Sequence, residues 1–158
     1  MTQKSVRLYN PGPINVSDDT FAAMSAAMIG HRGNDFVKLY EDIHPKLQAL
    51  FGTDGPVYLS TSSAWGVMEA SVRNLTQKKV LNCCNGAFSD KWLNVSERCG
   101  VEAEAMTAEW GTPISPSNLN DALSSGEFDL VTLVHNETST GVMNPLNEIA
   151  EVVSKYPD

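Results

Sequence analysis

The sequence lacks any apolar run long enough to cross a bilayer. Its opening residues, Met-Thr-Gln-Lys-Ser-Val-Arg, have no apolar core of the kind an export signal carries. A cytoplasmic protein is therefore expected. Basic residues are scarce, with 11 Lys and Arg against 19 Asp and Glu for a net charge of −8. That balance argues against nucleic acid or an anionic membrane as partner and favours plain solubility. Cysteine is sparse too. Cys83 and Cys84 are adjacent in an apolar run, Cys99 stands apart, and none has metal or redox spacing. Buried reduced thiols are expected. Internal repeats and low-complexity tracts are also missing. What remains is one domain's worth of chain, 158 residues with 42% hydrophobic content, enough to bury a core.

The stretch around which the pattern is organised runs from Leu59 to Ala70. An apolar run, Val57-Tyr58-Leu59, leads into four hydroxyl residues, Ser60 to Ser63, and then into helical spacing at Val67, Met68 and Val72. Strand, small polar turn and helix start together point free backbone amides and a helix dipole at an anion. A capped helix with no ligand fits the same residues.

Before this stretch, Tyr9-Asn10-Pro11-Gly12-Pro13 forms a rigid turn with one flexible point. Ser17 or Asp18 can cap a helix carrying Phe21, Met24 and Met28, which Gly30-His31-Arg32-Gly33 breaks. A longer helix follows through Phe36, Leu39, Tyr40, Ile43, Leu47 and Leu50, with Pro45 expected to kink it or mark a join. After the serine turn and its helix, Lys79–Cys84 reads as a strand ending at Asn85-Gly86. Ser89 opens an amphipathic helix with Trp92, Val95 and Cys99, stopped by Gly100. Val101–Met106 alternates as a half-buried strand, Ser117 opens a short helix, and Leu130–Val134 is a buried strand. Asn144-Pro145 caps a last helix, with Ile149, Val152, Val153 and Tyr156 facing inward.

Strands alternating with helices predict an α/β fold with a mainly parallel sheet and flanking helices. Ligands gather at the carboxyl ends of the strands in such sheets. Three loops qualify: Ser60–Trp65, Asn85–Ser89 and His135–Gly141.

At these loops the sequence resembles the class V aminotransferases, pyridoxal-phosphate enzymes of the aspartate-aminotransferase-like fold (fold type I). The alanine–glyoxylate and serine–pyruvate branch is the one it looks most like. Six motifs carry the resemblance in order. They are Asn-Pro-Gly-Pro (10–13), Gly-His-Arg (30–32), Ser-Ser-Ala-Trp-Gly-Val-Met-Glu-Ala (62–70), Asn-Gly-Ala-Phe (85–88), Glu-Trp-Gly (109–111) and His-Asn-Glu-Thr-Ser-Thr-Gly-Val-Met-Asn-Pro-Leu (135–146). The last is the most specific.

The resemblance implies pyridoxal 5′-phosphate as cofactor, with a phosphate, a flat ring and a phenolic oxygen to be held. Ser63, Ala64 and Trp65 match the phosphate-binding positions. Many relatives carry Gly and Thr or His at 64 and 65, so one side-chain hydroxyl is missing here, and Trp65 equally suits a core anchor. Phe88 matches the aromatic that stacks on the ring, and Thr138 the hydroxyl that hydrogen-bonds the phenolic oxygen. Asn136 and Glu137 are expected to hold the loop. Gly12 matches a substrate-side backbone position whose N–H meets a carboxylate. His31 and Arg32 suit either a neighbouring subunit's site or a solvated helix end.

The resemblance also places the Schiff-base lysine, the aspartate against the pyridine nitrogen and the carboxylate-gripping arginine beyond residue 158. No catalytic residue is assigned, and no metal. Residues 1–16 are expected as an N-terminal arm and 17–158 as the N-terminal part of the cofactor-binding large domain. The implied activity is transfer of an amino group from a small amino acid, serine or alanine, to a 2-oxo acid, glyoxylate or pyruvate, by a homodimer of the intact protein. The alternatives are a lyase or cysteine desulfurase of the same fold and a non-catalytic phosphate-binding module.

Overall fold

The computed structural model describes residues 6–157. It divides into two units, Met1–Leu59 and Ser60–Asp158.

In the first unit Ser17 caps α1 (Asp18–Met24), its Oγ accepting from the Thr20 N–H at 3.3 Å. Asp18 and Asp19 add negative charge where the helix dipole is positive. The helix stops at Met24, so Met28, 97% exposed, does not extend its apolar side as the spacing predicts. Helix α2 (Asn34–Phe51) runs straight on through Pro45 in sequence, and the expected join does not form. Gly52, left-handed at φ +60°, ends it. Neither helix has a buried residue. The apolar side of α2 instead faces a groove of about 400 Å³ lined with Leu39, Ile43, Leu47 and the Val57-Tyr58-Leu59 run. That run, expected as a strand, pairs with no described strand and stays irregular, the Val57 N–H donating instead to His44 Nε2 of α2 at 3.2 Å.

In the second unit three parallel strands lie in the order β2-β1-β3. β1 (Lys79–Cys84) is central, with Val80 opposite Ala103 of β2 (Glu102–Thr107) and Leu130 of β3 (Leu130–Thr132). From Val80 to Cys84 every residue of β1 is buried, as in a parallel strand covered on both faces. The period of two divides it. Leu81 and Cys83 join Ile114, Leu119, Leu123, Ile149 and Val152 in one cluster. That cluster is built from α5 (Pro116–Leu123) and α6 (Leu146–Val153) as well as the strand. On the opposite face Asn82 Oδ1 accepts from Thr132 Oγ1 at 2.9 Å and from Ser96 Oγ of α4 (Ala87–Arg98) at 3.1 Å. The buried amide thus ties two strands and a helix.

Both cysteines of β1 are free and buried. Burial, aided by the neighbouring Cys84, pushes the Cys83 thiol up to about 12; burial and then Asp90 push Cys84 up to about 11. Burial thus disfavours the thiolate of either near neutrality.

Three expectations shift at element ends. α5 begins at Pro116, with Ser115 Oγ accepting from the Asn118 N–H at 3.3 Å, so the cap lies two residues before Ser117. β3 is shorter than Leu130–Val134. Val153 is 36% exposed, while Tyr156 lies past the end of α6 and donates its hydroxyl to Asn120 O at 3.0 Å. At the amino-terminal edge of the sheet the Asp129 carboxylate accepts from the amides of Gln77 (2.6 Å), Lys78 (2.8 Å) and Lys79 (3.1 Å).

Candidate functional site

The carboxyl end of β1 runs through Asn85 and Gly86 into α4, whose first residue is Ala87 rather than the expected Ser89. A helix opens with free amides, and Gly86 at the cap has no side chain to satisfy them. The cap comes from about fifty residues further along the chain. Glu137, at the end of β4 (Asn136–Glu137), accepts from the Ser89 N–H at 2.9 Å and the Phe88 N–H at 3.4 Å. Ser139 Oγ accepts from the Ala87 N–H at 2.9 Å and donates to Glu137 Oε1 at 2.6 Å. The Ser139 amide donates to the same carboxylate at 3.2 Å. Every amide of the first turn of α4 is thereby satisfied, since Asp90 N–H already reaches Gly86 O at 2.8 Å.

Glu137 is fully buried. Burial alone raises its carboxyl pKa, but hydrogen bonds from the Ser139 hydroxyl and the Ser89 and Ser139 amides outweigh it and hold the group below the ordinary value. Asp129 follows the same pattern, with burial opposed by the amides of Gln77, Lys78 and Lys79. For both, the unfolded chain takes up protons first as acid is added. Stability is complete above the ordinary carboxylate range, about pH 4, and falls as pH drops through it towards the folded-state values. Thermal melting across this range checks it, and Glu137→Gln is expected to flatten the dependence.

A second clamp holds the neighbouring loops. Asn144, just after β5 (Val142–Met143), accepts at Oδ1 from the Ile114 N–H (2.8 Å) and Asn85 Nδ2 (3.1 Å) and donates from Nδ2 to Val134 O (2.7 Å). Asn85 Nδ2 also donates to Thr112 O at 3.1 Å. The loops after all three parallel strands are fixed by two buried amides and one buried carboxylate.

The serine turn leads into α3 (Ala64–Leu75) with Ser63 as N-cap. The Ser63 hydroxyl makes no capping bond, leaving it and the amides of Ala64 and Trp65 available, while the Gly66 N–H donates to Ser63 O at 2.9 Å. Ser62 Oγ donates to Ser63 O at 2.9 Å and pairs with Ser60 Oγ at 2.7 Å, so these neighbours shape the turn. A Cβ on Gly66 would fall 2.8 Å from that of Ser62, which is why the turn closes so tightly on the helix. Ser63 and Ala64 are exposed. Trp65 is half-buried, meeting Trp92 of α4 edge-on at 5.9 Å, with Lys91 Nζ 4.9 Å from its ring centroid. Its ring thus links α3 to α4.

The structure therefore brings Phe88 and Thr138 to one junction, since the amide of Phe88 and both neighbours of Thr138 belong to the same clamp. Phe88 is 44% exposed and Thr138 is exposed. Trp92 stands one helical turn from Phe88 on the same side of α4, and Trp65 follows it to the N-terminus of α3. Gly12 belongs to the first unit, in a turn closed by Asn10 Nδ2 donating to Pro13 O at 2.9 Å. Nothing lies within 4 Å of a Cβ built on it. His31 and Arg32 are exposed in the same unit. Sequence reasoning passed over Asn85, Ser139 and Asn144; the Asn-Gly and Asn-Pro pairs marked their loops without showing that the side chains turn inward.

One helix N-terminus here is filled by the protein's own carboxylate, and another is open to an outside anion. The closed one carries an exposed aromatic, Phe88, and an adjacent loop hydroxyl, Thr138. This donor set fits a ligand with a phosphate, a flat ring and a ring oxygen.

A family profile described as aminotransferase class-V matches residues 16–157. The chain is 37% identical over 149 residues to an uncharacterized aminotransferase of Methanocaldococcus jannaschii, covering 92% of this chain and 39% of that protein. It is 32% identical over 152 residues to the serine–glyoxylate aminotransferase of Methylorubrum extorquens, covering 92% and 38%. The crystal structure of alanine–glyoxylate aminotransferase from Nostoc sp. superposes with a TM-score of 0.87 at 27% identity, over 98% of this chain and 42% of that one. The chain thus spans about two fifths of the length of the relatives it matches.

Proposed function

The chain belongs to the class-V aminotransferase family, and on that premise we propose that it is the N-terminal part of the large domain of a pyridoxal-phosphate-dependent aminotransferase. Its α/β fold is that of the fold-type-I aminotransferases. The observation that supports the reading is the α3 N-terminus at Ser63, which has no side-chain cap, in the same unit as a second helix start already closed by Glu137. In this reading the amides of Ala64 and Trp65 and the Ser63 hydroxyl hold the phosphate. Phe88 covers one face of the ring. Thr138 donates to the phenolic oxygen. The cofactor, when bound, supplies an electron sink for the substrate's Cα. This chain's residues bind and orient it, while the lysine, aspartate and arginine of the chemistry are proposed to follow residue 158.

The proposed reaction moves an amino group from serine or alanine to glyoxylate or pyruvate, in a cytoplasmic homodimer. No helix among the described residues is long and apolar enough to cross a membrane. The test is the full-length protein purified with the cofactor. Borohydride reduction is expected to label one lysine, and serine or alanine with glyoxylate or pyruvate to yield the exchanged pair. No labelled lysine would remove the reading. Breakdown of cysteine supplied as sole substrate, with no amino transfer, would favour a lyase or desulfurase.

A further inference from the structure

We propose that Glu137 is a positioning residue for this site, acting through Ser139 to fix Phe88 and Thr138 relative to one another and so to set the tilt of the cofactor ring. The inference rests on the functional reading above. Three observations support it. The first turn of α4 has no local cap, and three of its amides end on Glu137 and Ser139. Thr138 lies between those two residues, so the stacking aromatic and the ring-oxygen donor share one support. The clamp also has no slack, because a Cβ on Gly86 would sit 2.6 Å from Glu137 Cδ and 2.8 Å from Ser139 Oγ.

The same carboxylate has a second effect. The positive end of α4 is already neutralised by a buried anion, whereas the start of α3 has no side-chain cap.

Glu137→Gln keeps the shape but not the acceptors. Oε1 takes Phe88 and Ser139 donors and Oε2 takes the Ser89 amide, so one N–H must face an NH₂ group. In the full-length protein, fluorescence titration with pyridoxal phosphate is expected to show Kd raised roughly tenfold for Glu137→Gln and about threefold for Ser139→Ala. Both should weaken the visible circular dichroism of the bound cofactor. Competition by inorganic phosphate should be unchanged. In a Phe88→Ala background Glu137→Gln should add no more than about twofold, because it acts through that ring. The role is overturned if wild type binds and both variants match it in Kd and dichroism. It is equally overturned if their losses simply multiply with that of Phe88→Ala, as a general loss of stability would give. A wild-type protein that binds no cofactor would remove the functional reading itself, and this role with it.

Discussion

Gly86→Ala is expected to destabilise the protein by about 3 kcal/mol and to weaken cofactor binding with it. Gly86 sits at φ 172°, extended backbone that alanine adopts freely, so the penalty is steric. The added carbon would lie 2.6 Å from Glu137 Cδ and 2.8 Å from Ser139 Oγ. A flexible side chain could swing away, but Glu137 is fully buried and held by four hydrogen bonds. Moving it strips the first turn of α4 of its cap. The variant therefore combines overpacking, about 1–3 kcal/mol, with lost charge-assisted hydrogen bonds. Urea unfolding should show a lower midpoint at an unchanged slope. A change within about 0.5 kcal/mol would mean the clamp yields easily.

Asn144→Ala is the second large effect, again about 3 kcal/mol. Asn144 is 1% exposed, and truncation orphans the Ile114 N–H and the Val134 carbonyl at once. Asn85 Nδ2 retains Thr112 O, so that end is spared. Each stranded buried group costs about 1–3 kcal/mol, more than the net value of a hydrogen bond replaced by water. Asn144→Asp separates the terms: it keeps the acceptor for Ile114 and Asn85 but cannot donate to Val134. An intermediate loss is expected from the same unfolding measurement. Equal losses in both variants would show that the Val134 contact dominates.

Much of the second unit is legible in the chain because its signals are local. Lys79–Cys84 is mostly apolar after its first residue, with Asn82 the one polar break, as suits a strand covered on both faces. The Ser17 cap and the Gly100 stop are equally local, the latter at φ +73°. The misplaced starts have two causes. At α5, Ser115-Pro116 was the better cap and first-turn pair than Ser117, a choice between adjacent signals. At α4, no local residue could have marked the start, because the capping carboxylate belongs to the hairpin after β3. Val57–Leu59 failed as a strand for the reason any three-residue run can: a strand is made by its partner, which composition does not reveal.

The site divides in the same way. Ser63, Phe88 and Thr138 are proposed from the chain because the resemblance attaches to short motifs, and a serine turn before a helix has its own physical meaning. Trp65 stood between two roles, and its edge contact with Trp92 gives the ring to packing. Glu137 was expected only to hold its loop. Its reach to α4 required the fold to bring residues 86–89 beside residues 137–139.

The most direct test is a crystal structure of the full-length protein grown with pyridoxal phosphate. The account predicts the phosphate on the amides at Ala64 and Trp65 with the Ser63 hydroxyl, the ring against Phe88, and Thr138 within hydrogen-bond reach of the phenolic oxygen. A phosphate seated elsewhere, with Phe88 and Thr138 still open to solvent, would contradict it.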